Sequence, residues 1–197
     1  MSHLFDLMKK YDSIKVRNKY PESHAYTQKI YPTYLDRLRN EKITILEIGI
    51  AYGGALQAFR DYFPYAKIVG YDVELSQHRI TDMTRIELFK GNQSDHDKLA
   101  EVAKVHGPFD VIIDDACHQF EAQLVTLNNM WPHVKPGGFY FIEDVFALRG
   151  KRGNASSQIF HHIKNEHLKE SAFAARHYVT DKTMIAFHPT MIVLEKA

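Results

Sequence analysis

The chain has 197 residues, 45% hydrophobic and 25% charged, the balance of a globular domain. Lys+Arg 25 against Asp+Glu 24 leaves a formal net charge of +1, which gives no electrostatic footprint for nucleic acid or an anionic membrane. A single cysteine, Cys117, excludes an intramolecular disulfide and a thiolate metal cage, and no apolar run reaches the roughly 20 residues that span a bilayer.

The first ten residues alternate polar and apolar and lack a secretion-signal core, so a cytoplasmic protein is expected. Leu4, Leu7 and Met8, then Ile30, Tyr34, Leu35 and Leu38, recur at helical spacing and predict helices over 2–10 and 26–39. These make an N-terminal helical segment, residues 1–40, ahead of a main domain over 41–197. Ile43 to Ile48 is an apolar, β-branched run ended by Gly49, and a helix follows from Ala55 to Tyr62. Strands are predicted at 68–71, 86–89, 109–113 and 139–142, with helices over 97–105 and 119–131 and a turn at Lys135-Pro-Gly-Gly138. Strands that alternate with helices and are apolar on both faces form a covered parallel sheet. Residues 182–187 and 191–195 are joined by too short a link for a parallel crossover, so they close the chain as an antiparallel hairpin. The expected architecture is α/β: a doubly wound, mostly parallel sheet ending in that hairpin.

Chemistry-bearing residues cluster at the carboxyl ends of the strands. The first strand-to-helix turn, Glu47-Ile-Gly49-Ile-Ala51-Tyr-Gly53-Gly54, lets backbone approach a ligand at a helix start, but it is not the dinucleotide fingerprint. Glu47 suits an amine or hydroxyls, Asp72 ends the second strand where ribose hydroxyls are accepted, and Asn92, Gln93 and Ser94 can edge an adenine. The competing reading of Ser94 and Asp95 is a helix cap. Glu47-x-Gly49-x-Ala51-x-Gly53 followed by Asp72 resembles the nucleoside-binding half of class I S-adenosylmethionine-dependent methyltransferases, with Ala51 in place of the usual middle glycine.

The fourth and fifth strands end in Asp114-Asp115 and Glu143-Asp144, about 4.8 Å apart if the strands are neighbours. Four converging carboxylates repel one another, and a bound divalent cation resolves this; oxygen ligands select Mg²⁺ before Ca²⁺ or Mn²⁺. His118 follows on the same loop, where an imidazole can take a proton from a hydroxyl at neutral pH. Cys117 reads as a small filler rather than a nucleophile.

Ile-Asp114-Asp115-x-x-His118 followed by Ile-Glu143-Asp144 resembles the metal-dependent sugar O-methyltransferases of macrolide biosynthesis, the mycinamicin type, and related rhamnosyl O-methyltransferases. Similar chains are often called cephalosporin hydroxylases. The likeness runs over about residues 24–195, from His24-x-Tyr26 through Gly91-Asn-Gln-Ser-Asp95 and Trp131 to Gly138. It implies a seven-stranded Rossmann-like methyltransferase sheet, with Mg²⁺ held by Asp115, Glu143 and Asp144 and His118 as the base. S-adenosyl-L-methionine would be held by Tyr26, Glu47, Gly49, Gly53, Asp72, Asn92, Gln93, Ser94 and Asp114, the last supporting the cofactor or the His118 loop rather than the metal. The macrolide type carries an N-terminal auxiliary domain, which this chain is expected to lack. The implied partner is a small, sugar-containing hydroxyl acceptor; neither nucleic acid nor membrane is needed, and self-association is compatible. Two other readings are a metal-dependent catechol-type O-methyltransferase and a non-catalytic adenosine-ligand or scaffold protein. The basic, glycine-hinged loop 148–156 is expected to cover the acceptor.

Overall fold

The structure, a computed structural model, describes residues 2–17, 25–145, 159, 177–179, 183–188 and 191–197. Two units, residues 1–90 and 91–197, each fold around their own strands.

The first unit opens with α1 (His3–Lys10), whose Ser2 cap accepts the Phe5 N–H and which buries Leu4, Phe5 and Met8. Asp6 in its first turn and Lys9 and Lys10 in its last complement the helix dipole. The helix expected over 26–39 is a relay of windings: a π-turn (Tyr26–Ile30), α2 (Tyr31–Leu35) and a 3₁₀ turn (Asp36–Leu38). Pro32 has no N–H to return to the preceding turn, and the winding opens there so that Tyr31 N–H reaches the Tyr26 carbonyl. Three strands follow, β1 (Thr44–Ile48), β2 (Lys67–Asp72) and β3 (Ile86–Lys90), in spatial order β3-β2-β1 and all parallel. Helix α3 (Gly54–Tyr62) is the crossover between β1 and β2.

The N-terminal segment is fastened to α3 by charge. Lys10 Nζ lies 3.1 Å from Asp61 Oδ2, the Tyr11 hydroxyl donates to the same carboxylate, and the Arg60 guanidinium reaches Asp61 and Asp82 at 2.8 and 2.9 Å. Burial alone would raise Asp61, but hydrogen bonds from Tyr11, Arg60 and Lys10 hold it at about 2. A depressed folded-state value stabilises above the unfolded value near 3.8 and is lost as pH falls through about 2. Urea unfolding between pH 5 and pH 2 is therefore expected to show a loss of about 2 kcal/mol in the parent that Asp61→Asn lacks.

In the second unit α4 (His96–His106) starts at Asp95, whose Oδ1 accepts the N–H groups of Asp97 and Lys98, the capping role weighed for it from sequence. The remaining elements are β4 (Phe109–Asp114), α5 (Phe120–Met130), β5 (Val134–Ile142), β6 (His177–Val179), β7 (Thr183–His188) and β8 (Met191–Lys196). The strands lie in the order β4-β5-β8-β7-β6; β4 and β5 are parallel, and the later pairs are antiparallel. The β7–β8 hairpin matches the sequence expectation, while β6 is a further three-residue strand that the sequence did not announce.

The expected turn at 135–138 is instead a bulge inside β5. Phe109 sits opposite Val134 and Val111 opposite Phe139, so the extra residues of β5 loop out without ending the strand. Gly137 takes a left-handed φ of 73°, and a Cβ on Gly138 would stand 2.7 Å from the Asp110 carbonyl oxygen. Tertiary pairing overrides the local turn signal. At the same end of β5, Lys196 Nζ donates to the carbonyls of Trp131, Pro132 and Val134, closing the 3₁₀ turn that leads into the strand. Among the described residues no helix is long and apolar enough to cross a membrane.

Candidate active site

The turn after β1 is built on three left-handed residues, Gly49 (φ 89°), Ala51 (φ 47°) and Gly53 (φ 79°). The Cβ of Ala51 makes its conformation cost about 1 kcal/mol more than glycine would. Asp72, at the end of β2, holds the turn: Oδ2 accepts the N–H of Ile50 at 2.8 Å and of Ala51 at 3.3 Å, and Oδ1 accepts that of Glu74 at 3.0 Å. A carboxylate has about four lone-pair positions, three of which these bonds use, so one remains, on Oδ1 at the strand end.

Glu47 and Tyr26 are placed differently from an open binding surface. Glu47 is 1% exposed and paired with Lys15 Nζ at 3.2 Å, itself 3% exposed. Lys15 comes from a 3₁₀ turn (Ile14–Val16) whose approach path lies directly on the start of α3. A Cβ on Gly54 would stand 2.5 Å from the Tyr11 carbonyl oxygen and 2.9 Å from Ser13 backbone. Tyr26 is fully buried at the start of the π-turn. Removing one partner of a buried ion pair leaves an uncompensated charge, so Lys15→Met is expected to destabilise by about 3 kcal/mol, and adding Glu47→Gln to recover much of it. Chemical denaturation of the single and double variants measures both.

In the second unit Asn92 and Ser94 are exposed and Gln93 is buried. Asn92 Oδ1 accepts the Ser94 N–H at 2.8 Å, a local turn bond. Asp114 is fully buried and receives the Gln93 amide at 2.9 Å. Burial, and then the charge of Asp115, pushes the Asp114 carboxyl up to about 8. The Tyr140 hydroxyl beside it is driven well above its ordinary value by burial and by Asp114.

The register of β4 on β5 sets Asp114 opposite Ile142, which brings the two acidic pairs level at the strand ends, and Glu143 N–H donates to the Asp114 carbonyl at 2.9 Å. Ligand atoms of Asp115, His118 and Asp144 lie within 4.8 Å of one another. His118 Nε2 is 3.9 Å from Asp115 Oδ1 and 3.6 Å from Asp144 Oδ2. Both His118 (φ 56°) and Asp144 (φ 54°) are non-glycine residues in the left-handed region, a strain of about 1 kcal/mol or more each that such sites hold. Glu143 is buried and stands outside this trio. His118 Nδ1 is buried with no hydrogen-bond partner among the described residues. The two carboxylate oxygens fit a hard divalent cation such as Mg²⁺ or Mn²⁺, with the imidazole beside it. The His118 side chain is 27% exposed, enough to meet a substrate hydroxyl. The expected cover over the acceptor, loop 148–156, lies outside the described residues.

The strand-end glycine turn and carboxylate array define a class, and the family model described as a methyltransferase domain matches residues 23–181. The chain belongs to that family. Among its relatives is the 8-demethyl-8-(2-methoxy-α-L-rhamnosyl)-tetracenomycin-C 3'-O-methyltransferase of Streptomyces olivaceus, 38% identical over 63% of this chain and 33% of the relative. The mycinamicin VI 2''-O-methyltransferase of Micromonospora griseorubida is 34% identical over 59% of this chain and 31% of the relative. The chain thus spans about a third of the length of these curated relatives. Among solved structures, the MycE methyltransferase of the mycinamycin pathway, in complex with Mg, SAH and mycinamycin VI, superposes with a TM-score of 0.79 at 27% identity. That match covers 100% of this chain and 54% of MycE. The fold is the Rossmann-like methyltransferase fold, a mostly parallel sheet ending in an antiparallel hairpin, as the sequence led one to expect.

Proposed function

We propose that this protein is an S-adenosylmethionine- and Mg²⁺-dependent O-methyltransferase, cytoplasmic, acting on a hydroxyl of a sugar or glycosylated small molecule. The observation that carries the reading is the Asp115–His118–Asp144 cluster at the ends of paired strands in a methyltransferase-family chain. The names of the relatives, each an O-methyltransferase of a glycosylated compound, support the acceptor class. When bound, S-adenosylmethionine supplies the sulfonium methyl group and Mg²⁺ the positive charge that lowers the pKa of an acceptor hydroxyl.

The chain's own residues do the rest. In the first unit the Gly49–Gly53 turn would admit the nucleoside and Asp72 would accept a ribose hydroxyl through the Oδ1 lone pair the turn leaves open. Glu47, neutralised by Lys15, would stiffen that turn from below. In the second unit the exposed Asn92 and Ser94 would supply polar edges for the base, and Asp115 and Asp144 would hold the metal. His118 Nε2 would take the hydroxyl proton as the oxygen becomes a nucleophile. Holding the reacting atoms in line supplies much of the acceleration.

Isothermal titration with S-adenosylhomocysteine, with and without Mg²⁺, tests the reading before any acceptor is known. Saturable binding of the nucleoside and a separate Mg²⁺ isotherm that Asp115→Asn abolishes are expected. Absence of nucleoside binding would overturn the transferase reading, and absence of Mg²⁺ binding would overturn the metal.

A further inference from the structure

Gln93 spends its side-chain amide inward. Its Oε1 accepts the Cys117 N–H at 3.0 Å, and its Nε2 donates to Asp114 Oδ1 at 2.9 Å and to Thr126 Oγ1 at 3.1 Å. Thr126 is fixed in turn, its hydroxyl reaching the Ala122 carbonyl at 2.9 Å within α5. A primary amide has two N–H donors and one carbonyl acceptor, and here each is engaged. Gln93 is 6% exposed and Asp114 and Thr126 are both 0% exposed, so these bonds form where an unmade one is costly.

The three contacts join the loop after β3, the end of β4 and α5 to the backbone of Cys117. That residue sits between Asp115 and His118, one position before the left-handed turn at His118. An ionised glutamate has no N–H to give Asp114 and Thr126, leucine can neither donate nor accept, and methionine offers only a weakly accepting sulfur.

We infer that Gln93 is a positioning residue that holds the Asp115–His118 loop in its metal- and proton-handling geometry, and not a contact for the adenine of the cofactor. What the loop does rests on the function proposed above; that Gln93 holds it does not.

The test compares the parent with Gln93→Met in three measurements: hydrogen exchange of the Cys117 amide by NMR, Mn²⁺ affinity by electron paramagnetic resonance, and S-adenosylhomocysteine affinity by titration. The Cys117 amide is expected to exchange about tenfold faster in the variant, and Mn²⁺ affinity to fall by about tenfold, with nucleoside affinity within about twofold. Unchanged Cys117 exchange overturns the inference. So does a loss confined to nucleoside affinity, which would make Gln93 the cofactor contact. A parent that binds no Mn²⁺ overturns the metal reading alone, since amide exchange still decides the role of Gln93. If Gln93→Met does not fold, Thr126→Val removes the far anchor of the same amide and is expected to shift the same readouts in the same direction.

Discussion

His118→Ala is expected to lower the maximal rate of methyl transfer by about 10² to 10⁴-fold while S-adenosylhomocysteine affinity stays within about twofold. The imidazole sits in the acidic cluster, 3.6 Å from Asp144 and 3.9 Å from Asp115 through Nε2, and is the proposed base. The ascending limb of the parent's pH–rate profile is expected to vanish in the variant. Since His118 sits at φ 56°, alanine there also strains the loop, and His118→Gly removes the imidazole without that strain. Equal loss in both variants assigns the effect to the imidazole. An undiminished rate returns His118 to a structural place in the loop.

Asp115→Asn is expected to abolish turnover at ordinary Mg²⁺ concentrations, with partial return at high Mg²⁺, and to leave nucleoside binding intact. The substitution keeps the side chain's shape and removes one of the two charges in the cluster of Asp115, His118 and Asp144. Hard divalent ions depend on that charge more than on the count of oxygen atoms. Asp144→Asn is expected to act alike, whereas Asp114→Asn tests the neighbouring position. Asp114 is fully buried and bonded to Gln93, so its replacement is expected to loosen the loop and weaken metal binding less steeply than loss of Asp115.

Much of this arrangement is legible in the residues. Short β-branched runs ending in glycine or acid mark β1, β2 and β4, and the three-residue link between β7 and β8 admits only a hairpin. The positive φ at Gly49 and Gly53 and the strand-end place of Asp72 follow from the same pattern. The β4–β5 register brings one member of each acidic pair, Asp115 and Asp144, together, while Asp114 and Glu143 are buried, a difference that alternation along the strands explains.

What escaped the sequence is long-range. Lys15 lies in a short polar stretch that reads as surface, since lysine is almost never buried unless paired, and its partner is 32 positions away. The Pro-Gly-Gly of 135–138 carries a true turn signal that ladder pairing on both sides absorbs as a bulge. Asn92, Gln93 and Ser94 look interchangeable in a polar loop; only the buried carboxyl of Asp114 and the hydroxyl of Thr126 draw the middle one inward.

Transfer of isotope-labelled methyl from S-adenosylmethionine to a panel of deoxysugar glycosides, run with Mg²⁺, with EDTA, and with EDTA followed by excess Mg²⁺, tests the account most directly. Label on a sugar hydroxyl oxygen that appears with Mg²⁺, disappears with EDTA and returns with added Mg²⁺ is the result expected of the Asp115–His118–Asp144 cluster. Full transfer in EDTA, or label found only on nitrogen or carbon, would contradict it.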